Sequence, residues 1–101
     1  MDRVVVLETT PSTMDAALEH AGGRSGLLVV ALRQTQGRGS HGRGWHDGDA
    51  CTLPCTFVID AGSRPVPMPA PLLAACVACA VHDTLSRFVP AGVDLAIKWP
   101  N

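Results

Sequence analysis

The stretch from Arg33 to Asp49 carries five glycines, no hydrophobic periodicity and one large apolar residue, Trp45. Such a segment has no apolar face for a helix or a sheet to bury, so the fold must be built from its flanks and must carry it as a loop. Loops longer than about 12–15 residues inside a domain are as a rule functional or disordered. The segment before it, Gly26 to Leu32, is an unbroken apolar run, short enough and β-branched enough to read as a strand buried on both faces. A buried strand thus delivers the chain into a long glycine-rich loop.

The rest of the chain supplies further elements. Val4-Val5-Val6-Leu7 reads as a first strand. Pro11-Ser12-Thr13-Met14-Asp15 reads as a helix start, with Ser12 as cap and Asp15 placed to reach back toward the open N–H groups. Met14, Leu18 and Ala21 recur at helical spacing until Gly22-Gly23 ends the helix. Thr52 to Ile59 reads as a third strand, with Pro54 pointing to an edge or bulged position. Asp60 to Pro71 reads as a proline-blocked loop. From Leu72 to Val89 the pattern is helical and apolar nearly all round in its first half, the mark of a buried helix emerging into solvent. Val93 to Trp99 reads as a fourth strand. The order strand-helix-strand-strand-helix-strand predicts an α+β fold, a mixed sheet with helices packed on one face.

Composition narrows the function classes. The 101 residues can bury one modest core, and 47% hydrophobic against 17% charged residues is a folding composition, not a disordered one. With a net charge of −1 there is no global field to attract nucleic acid or an anionic membrane. The basic charge is local instead: Arg33, Arg38 and Arg43 fall within eleven residues, together with His41. No signal-peptide pattern or roughly 18-residue apolar span is present, so a cytoplasmic protein with reduced cysteines is expected, with no nucleic-acid or membrane partner.

The loop has a chemistry of its own. Glycine lets consecutive backbone N–H groups turn toward an anion, and arginine adds a planar fork matched to carboxylate or phosphate. Ordering ten such residues costs on the order of 10 kcal/mol, so a ligand is expected to order the loop. A flexible solvated surface loop is the competing reading. Trp45 weighs against it, because an indole in a polar loop suits a flat partner such as a nucleobase. Gly37-Arg38-Gly39-Ser40-His41-Gly42 also matches the letters of the dinucleotide fingerprint. That fingerprint must open a helix, and Arg43 to Asp49 cannot continue one. No G-K-[ST] follows, which excludes a Walker A loop as well.

Three segments together resemble the biotin protein ligases. They are Ser12-Thr13 at the helix start, Gln34-Thr35-Gln36-Gly37-Arg38-Gly39-Ser40-His41-Gly42-Arg43-Gly44-Trp45 after the buried strand, and Lys98-Trp99-Pro100-Asn101 at the end. They stand in the family's order across the whole chain. The resemblance implies a class II synthetase-like catalytic domain of the biotin/lipoate ligase type. It also implies a two-step reaction: biotin and ATP with Mg2+ form biotinyl-5'-AMP, and biotin then passes to a lysine of a biotin carboxyl carrier protein domain.

By the same resemblance, Ser12, Thr13, Gln34, Gly37 and Arg38 would bind biotin. Gly39, Ser40, Arg43, Trp45 and Asn101 would bind the nucleotide, with Trp45 over the adenine. Arg38, Arg43 and Lys98 would be catalytic, stabilising developing charge, and the loop would act as a lid that keeps water from the mixed anhydride. No protein metal site is implied. Four departures stand out. Met14 replaces a common Asn, Ser40 the loop's usual second Arg, and Gly44 a frequent Lys. The chain also stops at Asn101, before the Asp that follows in the family's motif. A partial catalytic domain over residues 1–101 is therefore expected, with no helix-turn-helix domain before it and no C-terminal domain.

The remaining candidates are weaker. Cys76-Val77-Ala78-Cys79 lies in an apolar helical run, where small thiols are ordinary packing residues. His41 and His46 lack the four-ligand pattern of a zinc site. His20 and His82 read as helix-surface residues. Lys98, at the end of an apolar segment, needs a partner or a ligand for its charge, or else snorkels to water. Two functional readings follow: a biotin protein ligase, or a remnant that binds biotin or nucleotide without completing transfer.

Overall fold

In a computed structural model, residues 2–46, 51–60 and 68–99 are described. Three strands form one sheet: β1 (Arg3–Thr10), β2 (Leu27–Gln34) and β5 (Cys55–Val58), in the order β1-β2-β5. β1 and β2 run parallel, with Thr10 opposite Gln34, while β5 runs antiparallel to β2, with Val30 opposite Cys55. A parallel pair needs a crossover, and α1 (Thr13–Ala21) supplies it. The mixed α+β sheet expected from the sequence is present, and Pro54 stands just ahead of an edge strand.

Alternation decides where the core sits. Leu27, Val29 and Ala31 are fully buried on one face of β2, where Ala16, Ala17 and Ala21 of α1 pack with Val5, Leu7 and Val58. The alanines bring helix and sheet close together. Leu28 and Val30, on the opposite face, are only partly covered, and Val4, Val6 and Phe57 are exposed. The expectation of a strand buried on both faces is thus corrected: an apolar run reports capacity for burial, and within the first unit α1 covers one face.

The ends of α1 are fixed by local chemistry. Ser12 adopts extended backbone and its Oγ accepts the Met14 N–H at 3.3 Å, while Gly22 ends the helix in the left-handed region at φ 58°. Arg3 reaches across from β1 and donates to the carbonyls of His20 and Ala21 at 3.1 and 3.0 Å, satisfying open C=O groups at the helix C-terminus.

The chain divides into two compact units, Met1–Asp60 and Ala61–Asn101. In the second, α2 spans Ala70–Leu85. The prolines do not hold it off as far as expected. Pro71 sits inside its first turn, where the missing N–H has no partner to lose, and Pro69 caps it, its carbonyl accepting from Leu73. None of the α2 residues is buried, against the expectation of a buried helix. The expected strand at Val93–Trp99 does not form either. That segment is irregular and is tied to α2 through His82, whose Nε2 lies 2.9 Å from the Leu95 carbonyl. A β-branched run becomes a strand only where a neighbouring strand takes up its backbone groups.

Candidate functional site

Parallel pairing brings the ends of β1 and β2 to one edge of the sheet. That edge, at the carboxyl ends of parallel strands, is where open α/β arrangements place ligands. Thr35 and Gln36 donate backbone N–H bonds to Thr10 and Pro11 at 3.0 and 2.7 Å, so the exit of β2 is stitched to the approach of α1. Ser12-Thr13 and Gln34, 21 positions beyond Thr13, become neighbours.

Their hydrogen bonds form a connected set. Gln34 Oε1 accepts from the Thr13 backbone N–H at 2.8 Å and from Thr13 Oγ1 at 3.2 Å. Thr13 Oγ1 in turn accepts from Thr56 Oγ1 on β5 at 2.9 Å. The Gln34 carbonyl oxygen therefore takes up open donors at the positive end of α1, and its amide orientation follows: oxygen to the helix, nitrogen toward Gly37. Ser12 and Thr13 are buried. Buried hydroxyls with fixed partners hold their geometry, which a polar recognition site requires.

The glycine-arginine segment is more ordered than its composition suggests. β3 (Gly37–Arg38) pairs antiparallel with β4 (Gly44–Trp45), Gly37 opposite Trp45 and Arg38 opposite Gly44. The turn between them, Ser40–Gly42, is a short 3-10 segment closed by Gly39 N–H to the Arg43 carbonyl at 2.7 Å. Runs of two residues carry no periodicity, so this hairpin leaves no pattern in the sequence. His41 stands at its tip with φ 59°, a left-handed conformation that histidine tolerates better than most residues.

Gly37 is buried for a concrete reason. A Cβ there would stand 2.6 Å from Gln34 Nε2 and 2.8 Å from the Trp45 carbonyl oxygen. Close approach of backbone to the Gln34 amide demands glycine at this place. A Cβ added at Gly44 would meet nothing within 4 Å, so a side chain fits there.

Arg38 points back to α1. Its Nη1 and Nη2 donate to Asp15 Oδ2 and Oδ1 at 2.7 and 2.8 Å, an end-on bidentate pair with each side chain about half exposed. The hydrogen bonds from Arg38, opposed by desolvation and aided by its charge, hold the Asp15 carboxyl below the usual aspartate range, and the guanidinium is raised in turn. Asp15 was expected to reach back to the helix cap. Its carboxylate serves the arginine instead.

Of the residues singled out from the sequence, Ser12, Thr13, Gln34, Gly37 and Arg38 are gathered, with Gly39, Ser40, Arg43 and Trp45 following on the same hairpin. Ser40 and Arg43 are exposed, and Trp45 is 61% exposed. Lys98 belongs to the second unit, where it is exposed, and Asn101 lies outside the described residues. Sequence reasoning missed Thr56 as a member of the site and misassigned Asp15. Both belong to the site only through strand register and a cross-chain pair, which no local pattern reports. Among the described residues no three or more His, Cys, Asp or Glu side chains gather to hold a metal. No described helix is long and apolar enough to cross a membrane.

A βαβ edge with buried hydroxyls at a helix N-terminus, bordered by a glycine-arginine hairpin, makes this an α+β domain with a polar candidate site. More specifically, the chain belongs to the biotin/lipoate A/B protein ligase family, whose pattern it matches over residues 6–101. It is 31% identical to the biotin--[acetyl-CoA-carboxylase] ligase of Mycobacterium tuberculosis over 96% of this chain and 37% of that protein. It is 28% identical to the human biotin--protein ligase over 97% of this chain and 14% of that protein. The chain thus spans well under half the length of these relatives.

Proposed function

We propose that the chain carries the biotin- and nucleotide-binding portion of a ligase that joins biotin to ATP as biotinyl-5'-AMP and passes biotin to a lysine of a carrier protein, such as the carrier subunit of acetyl-CoA carboxylase. The observation that carries this reading is the convergence of Ser12, Thr13 and Gln34 at the N-terminus of α1, with Arg38 beside them. The kinship with two biotin ligases directs it to biotin.

In this reading Ser12, Thr13 and Gln34 hold the polar head of biotin, with Gly37 letting the hairpin backbone close against the Gln34 amide. Arg38 and Arg43 neutralise the charge where the biotin carboxylate oxygen bonds to the α-phosphorus and pyrophosphate leaves. Trp45 lies over the adenine, with Gly39 and Ser40 along the phosphates. Lys98 and Asn101 act on the nucleotide side. In the second step the carrier lysine amine attacks the acyl carbon and AMP leaves. Mg2+ would enter with the ATP phosphates, and no described residue set is assigned to it. A cytoplasmic setting, where ATP and carrier are both present, fits this role.

The test is to incubate the chain with biotin, ATP and Mg2+ and to follow biotinyl-5'-AMP and carrier labelling by mass spectrometry. Adenylate that needs both substrates supports the ligase. Biotin binding without adenylate reduces the role to holding the ligand, and no binding of biotin or ATP overturns both.

A further inference from the structure

Arg38 sits on a two-residue strand between Gly37 and Gly39, which bring no side chain to brace it. Its fork is nonetheless held by two short bonds to a carboxylate in the first turn of α1. That same turn begins with Thr13, whose N–H and hydroxyl orient Gln34. One turn of helix therefore fixes both the amide and the guanidinium of the candidate site.

We propose that Asp15 is a positioning residue: its carboxylate holds Arg38 against the first turn of α1, docks the 37–45 hairpin there, and so aims the remaining guanidinium donors at the anionic end of the bound ligand. This rests on the assignment of Arg38 to that ligand. An arginine has five N–H donors, and the end-on pair with Asp15 engages one on each terminal nitrogen. Nε and the outer N–H of each terminal nitrogen remain, enough to receive a carboxylate or phosphate oxygen without releasing Asp15. The pair is bidentate, the geometry in which an exposed ion pair contributes measurably. It also fixes a long side chain in advance, which lowers the ordering cost of binding. The depressed carboxyl of Asp15 is consistent with a pair that stays ionised through the physiological range.

The experiment uses the 101-residue chain, with biotin as the probe in calorimetry and amide hydrogen exchange across residues 37–45 as a second readout. The variants are Asp15→Asn, Asp15→Glu, Arg38→Ala and the double variant Asp15→Asn with Arg38→Ala. In Asp15→Asn, biotin binding weakens by about threefold or more and exchange in the hairpin speeds up by a similar factor, with the melting temperature little changed. Asp15→Glu, which restores the charge, recovers part of both. In the Arg38→Ala background, Asp15→Asn adds no further loss of affinity, because the partner through which it acts is gone. Equal or tighter biotin binding in Asp15→Asn, or the same loss in both backgrounds, overturns the proposal. If Arg38→Ala binds as the unaltered chain does, the reading of Arg38 itself fails. A loss there beside an unmoved Asp15→Asn sinks Asp15 alone.

Discussion

Two glycines of the same hairpin, Gly37 and Gly44, have opposite tolerance. Gly37 has the Gln34 amide and the Trp45 carbonyl within 3 Å of any added Cβ, whereas Gly44 faces open space and has no positive φ. Gly37→Ala must displace Gln34 or open the β3–β4 pairing, so its biotin affinity falls by roughly tenfold or more, the order expected when a polar contact is lost from a formed site. Gly44→Ala binds as the unaltered chain does. Equal behaviour of the two in a calorimetric titration would contradict this account of the site. Asp15 supplies a pH signature at the same scale. Its folded pKa lies below that of an unfolded aspartate, about 3.9, so the pair is intact above that value and is lost as pH falls through the folded value. Followed through its own carboxyl resonance by NMR, Asp15 should stay ionised as pH falls through the range where an unfolded aspartate titrates and protonate only below it. A resonance that titrates at or above the unfolded value would contradict the pairing with Arg38.

At the scale of elements, the N-terminus of α1 joins stability to recognition. Ser12→Ala removes the cap and costs about 1 kcal/mol, which for a unit of this size lowers the melting temperature by roughly 4–8 °C. Thr13→Val is more damaging to the site than its volume suggests, because it leaves Gln34 Oε1 and Thr56 Oγ1 each without one partner. About 1–3 kcal/mol of destabilisation is expected in thermal or denaturant unfolding, with biotin binding weakened as well. A Thr13→Val chain with unaltered stability would mean that this hydroxyl is not the junction of the network. Sequence made α1 legible from end to end, since cap, periodicity and terminating glycine are all local signals. β2 and its course into the loop were equally plain. The hairpin and the segment at Val93–Trp99 were not, because strand formation depends on a partner that lies elsewhere in the chain.

For the whole molecule, the core of the first unit is small, and fully buried Leu27 and Val29 lie at its centre between sheet and alanine-lined helix. Leu27→Ala costs about 2–5 kcal/mol, a large part of what a domain of this length has in reserve. Loss of a cooperative melting transition is the expected outcome, and a shift of only a degree or two would mean that the core lies elsewhere. The fold class followed from the order of elements, and the gathering of Ser12, Thr13, Gln34, Gly37 and Arg38 was expected only through the resemblance to the biotin protein ligases. The contributions of Thr56 and Asp15 were not, since they arise from register and from a contact spanning 23 positions. If these converged residues form a biotin site, calorimetric titration of the chain with biotin gives saturable one-to-one binding that weakens by roughly tenfold or more in a Gln34→Ala variant. Binding that is absent, or that is indifferent to Gln34, would rule the site out.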